Sequence, residues 1–340
     1  MTRRTHGRRP TLEDVARYSG VSRSTVSRVI NGEPRVRAEV VEQVRRVIAD
    51  LGYVPNQAAR QLVTHRTNAV AVVAPQPQNR LFLDPFFDCL LRGVRRELAG
   101  YGAQAVLLFL DEPDDYTRVA DYLAGGHVDG AVLFALHPGD RLHEMTDRLD
   151  IPVVFGGRPL LRDGGTVRAH ACVDGDNRGG ARQAVQHLVA LGRTRVATVT
   201  GPYDQEHSAA DRLAGYRDVL PDAPPELTER ADYTQQGGAD AMAALLDRRP
   251  DLDAVFAASD LMASGVLRTL RERGRRVPED VAVIGFDDLT AIAEATDPLL
   301  TTVHQDVEEM GRLMARLLFE RTTELPSAIV PTRLVRRASA

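Results

Sequence analysis

The sequence predicts an all-α helix-turn-helix head followed by a two-lobed α/β body in which parallel sheets are flanked by helices. Three observations predict it. Residues 1–54 carry apolar stripes at helical spacing and no strand pattern, whereas from residue 67 onward short buried-strand runs alternate with helical stretches. Charge divides at the same place: residues 1–66 hold 13 Arg against 6 acids, and the remainder holds 30 Arg against 41 acids. With 340 residues, 43% of them hydrophobic, the chain can build two or three compact units.

In the head, Leu12, Val15 and Ala16 fall at i, i+3 and i+4, and Thr11 with Asp14 has the form of a capping box, which predicts the first helix. Gly20 ends it in a tight turn. Ser22 caps a second helix along Val26, Val29 and Ile30, stopped by Asn31 and Gly32. A third stripe at Val40, Val44, Val47, Ile48 and Leu51 closes a three-helix core before Gly52 and Pro55. The outer side of the second helix carries Arg23, Ser24, Ser27 and Arg28, groups able to bond base edges, with Arg suited to guanine O6 and N7. A basic head on an acidic body is the charge pattern of a nucleic-acid binder whose second part does something else.

The segment TLEDVARYSGVSRSTVSRVINGEPRVRAEVVEQVRRVIADLGYVPNQAARQL resembles, nearly position for position, the DNA-binding head of the LacI/GalR family of repressors. That resemblance implies that Arg23, Ser24 and Arg28 read bases. It implies backbone or phosphate contacts for Thr11, Ser22, Thr25, Ser27 and Asn31, which set register more than specificity. Residues 55–66 resemble the family's hinge helix. Asn56 could cap a helix of about two turns, too short to be stable alone. By the resemblance two such helices meet through Ala58 and Ala59 in the minor groove, and Leu62 wedges between base pairs.

The body reads as AVAVVA, a helix through Phe87 to Leu98, QAVLLFL, a helix near 115 to 124, GAVLF, a helix near 140 to 149, and PVVF. A second series begins near ACVD and continues through a helix from Asn177 to Leu191, RVATVT, the helix holding Arg212, AVFAA, a helix from Leu261 to Arg273, and VAVIGFDD. The family resemblance covers essentially the whole body and implies the two-lobed fold of periplasmic sugar-binding proteins. It further implies a return of the chain near Thr301, with residues 67–172 and 302–329 in the first lobe, and 173–301 and 330–340 in the second.

Ligands of open α/β sheets bind beyond the carboxyl ends of the strands, here between the lobes. Asp287 and Asp288 follow one strand, Ser259 and Asp260 another, and Arg212 enters from the loop after RVATVTGP. A sugar offers paired hydroxyls to carboxylates and guanidiniums, and a ring face to an aromatic. By the resemblance Arg212 and Asp287 hold the ligand, Tyr233 stacks on it, and Phe87 fills an aromatic position of the first lobe. Phe87 also fits a core position, Asp287 a helix cap and Arg212 a surface charge. Ser259 stands where the resemblance implies Asn in many relatives, and Gly157 where some relatives place an acid. The stretches LFLDPFF, YLAGGHVDG, GGRPL and DNRGGARQAV resemble repressors that respond to cellobiose or related oligosaccharides.

The expected partners are a near-palindromic DNA operator, a second copy of the chain in a two-fold dimer, and a sugar effector, with no metal or cofactor. An enzyme is disfavoured: no nucleophile elbow, P-loop, zinc-binding H-E-x-x-H or dinucleotide fingerprint appears, and the nine His, including His137 and His143, lack metal spacing. A transport binding protein would need a signal peptide, and the basic start leads into polar sequence. No apolar run approaches the roughly 20 residues of a membrane span, so a cytoplasmic protein, nucleoid-associated when DNA-bound, is expected. A non-sugar co-repressor remains an alternative within the family. Cys89 and Cys172 read as buried thiols.

Overall fold

The computed structural model describes residues 10–54, 66–75, 84–110, 113–134, 146, 149–158, 171–204, 206–320 and 327–340. The chain divides into two units, Met1–Thr67 and Asn68–Ala340. Asn56, Ala59 and Leu62 lie outside the described residues, as do His137, His143 and most of the helix expected near 140 to 149.

In the head, Thr11 caps α1 (Leu12–Ser19). Its hydroxyl accepts from the Asp14 amide at 3.3 Å while the Asp14 carboxylate accepts from the Thr11 amide at 2.9 Å, closing the capping box. Gly20, at φ +63°, ends α1 in a left-handed turn that side chains with a Cβ rarely adopt. Ser22 then caps α2 (Arg23–Ile30) by accepting from the Thr25 amide at 3.2 Å. One valine each from α1, α2 and α3 (Ala38–Leu51), namely Val15, Val26 and Val44, is wholly buried at the centre. Val40, Val47, Ile48 and Leu51 pack around them, so the three predicted stripes do bury one another.

The body holds two six-stranded sheets. The first joins β1 (Ala69–Pro75), β2 (Gln104–Leu110), β3 (Gly130–Phe134), β4 (Val153–Gly156), β5 (Ala171–Gly175) and β11 (Ser327–Val330) in the order β11-β5-β4-β3-β1-β2, all parallel. Val70 to Ala74 are almost fully buried, as expected of a parallel strand covered on both faces. Helices α4 (Pro85–Gly100) and α5 (Pro113–Ala124) belong to this lobe. The second sheet has the order β12-β10-β9-β8-β6-β7, built from β6 (Val196–Thr200), β7 (Thr228–Arg230), β8 (Ala254–Ala257), β9 (Ala282–Asp287), β10 (Thr301–Gln305) and β12 (Thr332–Val335). Only β12 runs antiparallel. Its helices are α6 (Asn177–Ala190), α7 (His207–Val219), α8 (Gln235–Arg248), α9 (Asp260–Glu272) and the single turn α10 (Thr290–Ala293), before α11 (Val307–Phe319) returns to the first lobe.

Two expected boundaries move. The strand ACVD, placed at the start of the second series, is β5 and pairs with β4 and β11 in the first sheet. The chain returns after Gln305 and not near Thr301, because Thr301 to His304 pair with Ile284 to Asp287 on β9. Pairing between strands far apart in sequence decides both points. Of the two thiols, Cys172 is buried and Cys89 only half-buried; both are free. No helix among the described residues is long and apolar enough to cross a membrane.

Helices α4 and α11 cross at two glycines. A Cβ on Gly93 would lie 1.9 Å from the Glu308 carbonyl oxygen, and one on Gly311 would lie 2.1 Å from that of Leu90. Backbone stands against backbone there, so the contact cannot yield by a rotamer change. Gly93→Ala is expected to cost about 1–3 kcal/mol as an overpacked contact, read by thermal or denaturant unfolding; unchanged stability would show that the helices can separate freely.

Candidate functional site

The carboxyl ends of β4, β5 and β9, with the start of α4 and the loop before α7, converge on a cavity of about 170 Å³ between the two lobes of the body. Arg212 forms one wall. Its helix α7 delivers the side chain beneath the ends of β8 and β9, where it is 6% exposed. Nε donates to Asn177 Oδ1 at 2.9 Å, Nη1 donates to the Ala258 carbonyl, and the guanidinium stacks 3.8 Å from the centre of the Phe286 ring. Nη2 lies 3.4 Å from Asp287 Oδ1. A planar cation held on four sides cannot turn away from the cavity.

Asp287 ends β9 at φ +112°, a conformation that side chains with a Cβ rarely adopt. Gln305 Nε2 donates to its Oδ1 at 2.6 Å. Burial pushes its carboxyl up to about 7; Arg212 opposes that shift, and Asp84, across the cavity, adds to it. Tyr233 is likewise at positive φ, +64°, and both residues line the cavity. Non-glycine residues held in this region mark sites where the surrounding structure over-determines the backbone. The Tyr233 ring lies against Gly201, where a Cβ would come within 2.3 Å of ring carbon Cζ. Its buried hydroxyl has no hydrogen bond of normal geometry, with Ser208 close enough to act on it, and burial pushes the phenol upward.

Phe87 lines the cavity beside Phe86, the two rings meeting edge to face at 5.7 Å. Ser259 lines it too, although its hydroxyl is engaged as the cap of α9, accepting from the Met262 amide at 3.2 Å. Asp260, grouped with these residues on sequence, lies outside the lining. It is 0% exposed, accepting from the Thr302 hydroxyl and from the Leu289 amide at 2.8 Å. As the first residue of α9 it turns beneath β9, and a Cβ on Gly285 would sit 2.3 Å from its Oδ1. Burial, then the neighbouring Asp287, raises its carboxyl well above the usual range. Gly157 lines the cavity at φ +85°, a backbone conformation that favours glycine.

Sequence reasoning missed several lining residues. Asp174 ends β5; its Oδ1 accepts from the Gly175 amide and from Asn177 Nδ2, both at 2.8 Å, and burial raises its carboxyl. Arg158, just past β4, has Nε 3.7 Å from Asp174 Oδ2 and pairs with Asp211 on α7 of the second lobe. Asp84 caps α4, accepting from the Phe86 amide at 3.0 Å. Asp174 stands at the end of the strand read at ACVD, so the strand-end rule that singled out Asp287 applies to it equally.

In the head, Arg23, Ser24, Arg28 and Asn31 are exposed on or just beyond α2, and Thr11, Thr25 and Ser27 are partly so. The Ser22 hydroxyl lies 2.8 Å from that of Ser24 and 2.9 Å from that of Thr25. Thr11 gives its hydroxyl to Asp14 at 2.8 Å.

Comparison with known proteins gives these two sites a family. Residues 11–56 match the model of bacterial regulatory proteins, lacI family, and residues 185–340 match that of a periplasmic binding protein-like domain. The chain is 48% identical over 340 residues to the HTH-type transcriptional regulator CelR of Thermobifida fusca, with 98% of each chain covered. It is 34% identical to the ribose operon repressor of Escherichia coli K12, covering 92% of this chain and 93% of the relative. Among solved structures it is similar to a CelR–cellobiose complex, with TM-score 0.76, 46% identity, and 98% and 100% of the two chains covered. It is also similar to the lac repressor dimer bound to operator and an anti-inducer, with TM-score 0.83, 27% identity, and 98% and 99% covered. A capped three-helix head and a two-lobed body with a charged, aromatic cleft, matched over nearly the full length of such relatives, place this chain in the LacI family of bacterial regulatory proteins.

Proposed function

We propose that this protein is a transcriptional repressor that binds a near-palindromic operator as a homodimer in the cytoplasm and is released by a neutral oligosaccharide of the cellobiose class. The charge of the cleft carries the ligand reading. Its described lining includes the carboxyl groups of Asp84, Asp174, Glu206 and Asp287, and the two guanidiniums among those residues, Arg158 and Arg212, are already ion-paired. A phosphorylated or otherwise anionic effector would meet these acids with no unpaired Arg among the described lining residues to receive it. Uncharged hydroxyls suit it, since they donate to carboxylates and accept from guanidiniums while a ring face lies on Phe87 or Tyr233. The similarity to a cellobiose complex at 46% identity supports the same class.

On the DNA side, Arg23, Ser24 and Arg28 read bases, and Thr11, Ser22, Thr25, Ser27 and Asn31 set register on the backbone. By the family resemblance, Asn56, Ala59 and Leu62 are the residues assigned to minor-groove contact. Binding without catalysis is the role of the cleft.

The test is binding of the purified protein to its own upstream DNA at fixed salt, titrated with cellobiose, longer β-glucans, monosaccharides, a sugar phosphate and a nucleobase. Cellobiose or a near relative is expected to weaken the complex roughly 10- to 100-fold. Tightening by the nucleobase or the sugar phosphate would replace this reading with a co-repressor.

A further inference from the structure

Arg23, the first residue of α2, does not stand free in the head. Its Nη1 lies 3.0 Å from Oε1 of Glu13, in the first turn of α1. Two further pairs among the described residues of the head are local or looser: Arg17 with Asp14 at 2.9 Å within α1, and Arg28 with Glu33 at 3.6 Å. The Glu13 pair instead joins two helices across the turn, at an exposed site. Glu13 is also near Tyr53, whose phenol is pushed up first by burial and then by the Glu13 charge. The carboxylate therefore sits among α1, the start of α2 and the chain just after α3.

A free arginine on a DNA-binding face gains a phosphate contact on any sequence, which raises affinity without information. An arginine tied by one Nη to a carboxylate loses that freedom and keeps its other donors for a base edge. The carboxylate itself repels phosphate. We propose that Glu13 is a specificity-determining positioning residue: by restraining Arg23 it suppresses binding to non-cognate DNA more than binding to the operator. The inference rests on the proposed base reading by Arg23.

The test uses the full-length protein and a randomised duplex library at fixed salt. The selected consensus and its single-base variants are then measured with the wild type, Glu13→Gln, Arg23→Ala and the double variant. A thermal melt of each shows that the head is folded, and Glu13 is exposed, so Gln is accommodated. Arg23→Ala is expected to relax preference at one base position. Glu13→Gln is expected to lower preference at that same position roughly two- to fivefold, the size of an exposed ion pair. It should also steepen the salt dependence of non-cognate binding by about one phosphate contact. In the double variant the preference should equal that of Arg23→Ala alone. An undiminished preference in Glu13→Gln, or a further loss in the double variant, overturns the role of Glu13 while leaving the base reading intact. If Arg23→Ala leaves every position unchanged, the base reading itself fails and the proposal with it.

Discussion

Arg212→Met is expected to abolish the release of DNA by sugar and to destabilise the body by about 3–5 kcal/mol, the range for breaking a buried ion pair from one side. Methionine preserves length and apolar contact but none of the donors. It leaves the Asn177 amide oxygen and the Ala258 carbonyl without this partner, and Asp287 as a buried charge without its cation. Protonation offers Asp287 an escape, so the loss should be smaller in acid than in base. DNA binding in the absence of sugar should persist wherever the variant is folded. Chemical denaturation reads the stability and operator titration reads the response; a sugar response within about twofold of wild type would remove Arg212 from the site.

The second large effect is on pH dependence. The folded protein holds the Asp287 carboxyl at about 7 against an ordinary value of 3.8, so the native state binds a proton more tightly than the unfolded chain across that window. Stability from this group is therefore fully present below the unfolded value and falls as pH rises from 3.8 towards about 7. Buried Asp260, raised in the same direction, adds to the trend. Ligand affinity should move the opposite way, because only the ionised carboxylate accepts from two hydroxyls. Between about pH 8 and pH 6 the ionised fraction, and with it sugar affinity, should drop roughly tenfold. Asp287→Asn should bind sugar weakly and lose most of that slope. A wild-type affinity flat over the same range would show that the acid does not take part.

Much of this architecture is local and was legible in the chain itself. The Thr11–Asp14 capping box, the Ser22 cap and the Gly20 turn each depend on residues within one turn of helix, so their spacing announced α1 and α2. Strands buried on both faces read as continuous apolar runs, and β1, β3, β6, β8 and β9 appeared where such runs stood. Strand ends and family resemblance point to Arg212, Asp287, Tyr233, Phe87 and Ser259, and one cavity brings them together.

Pairing and direction were decided elsewhere. Whether ACVDG belongs to the first or the second sheet depends on hydrogen bonds to β4 and β11, the latter more than 150 residues away, and no local pattern encodes that choice. The same non-local pairing set the return after Gln305 and so brought its amide onto Asp287. Ser259 and Asp260 are neighbours with similar polarity, yet one lines the cavity and the other lies beneath β9, because adjacent residues at a helix start point in different directions. From sequence alone came the three-helix head, the central strands and most of the helices, and the chemical types available to the cleft, since these follow from patterns a few residues apart; β7, β10, β11, β12 and α8 did not stand out in that way. Only the tertiary structure decided the lobe boundaries, the inter-lobe pair of Arg158 with Asp211 and the four-sided hold on Arg212, because those interactions close loops of tens of residues whose partners are chosen by packing.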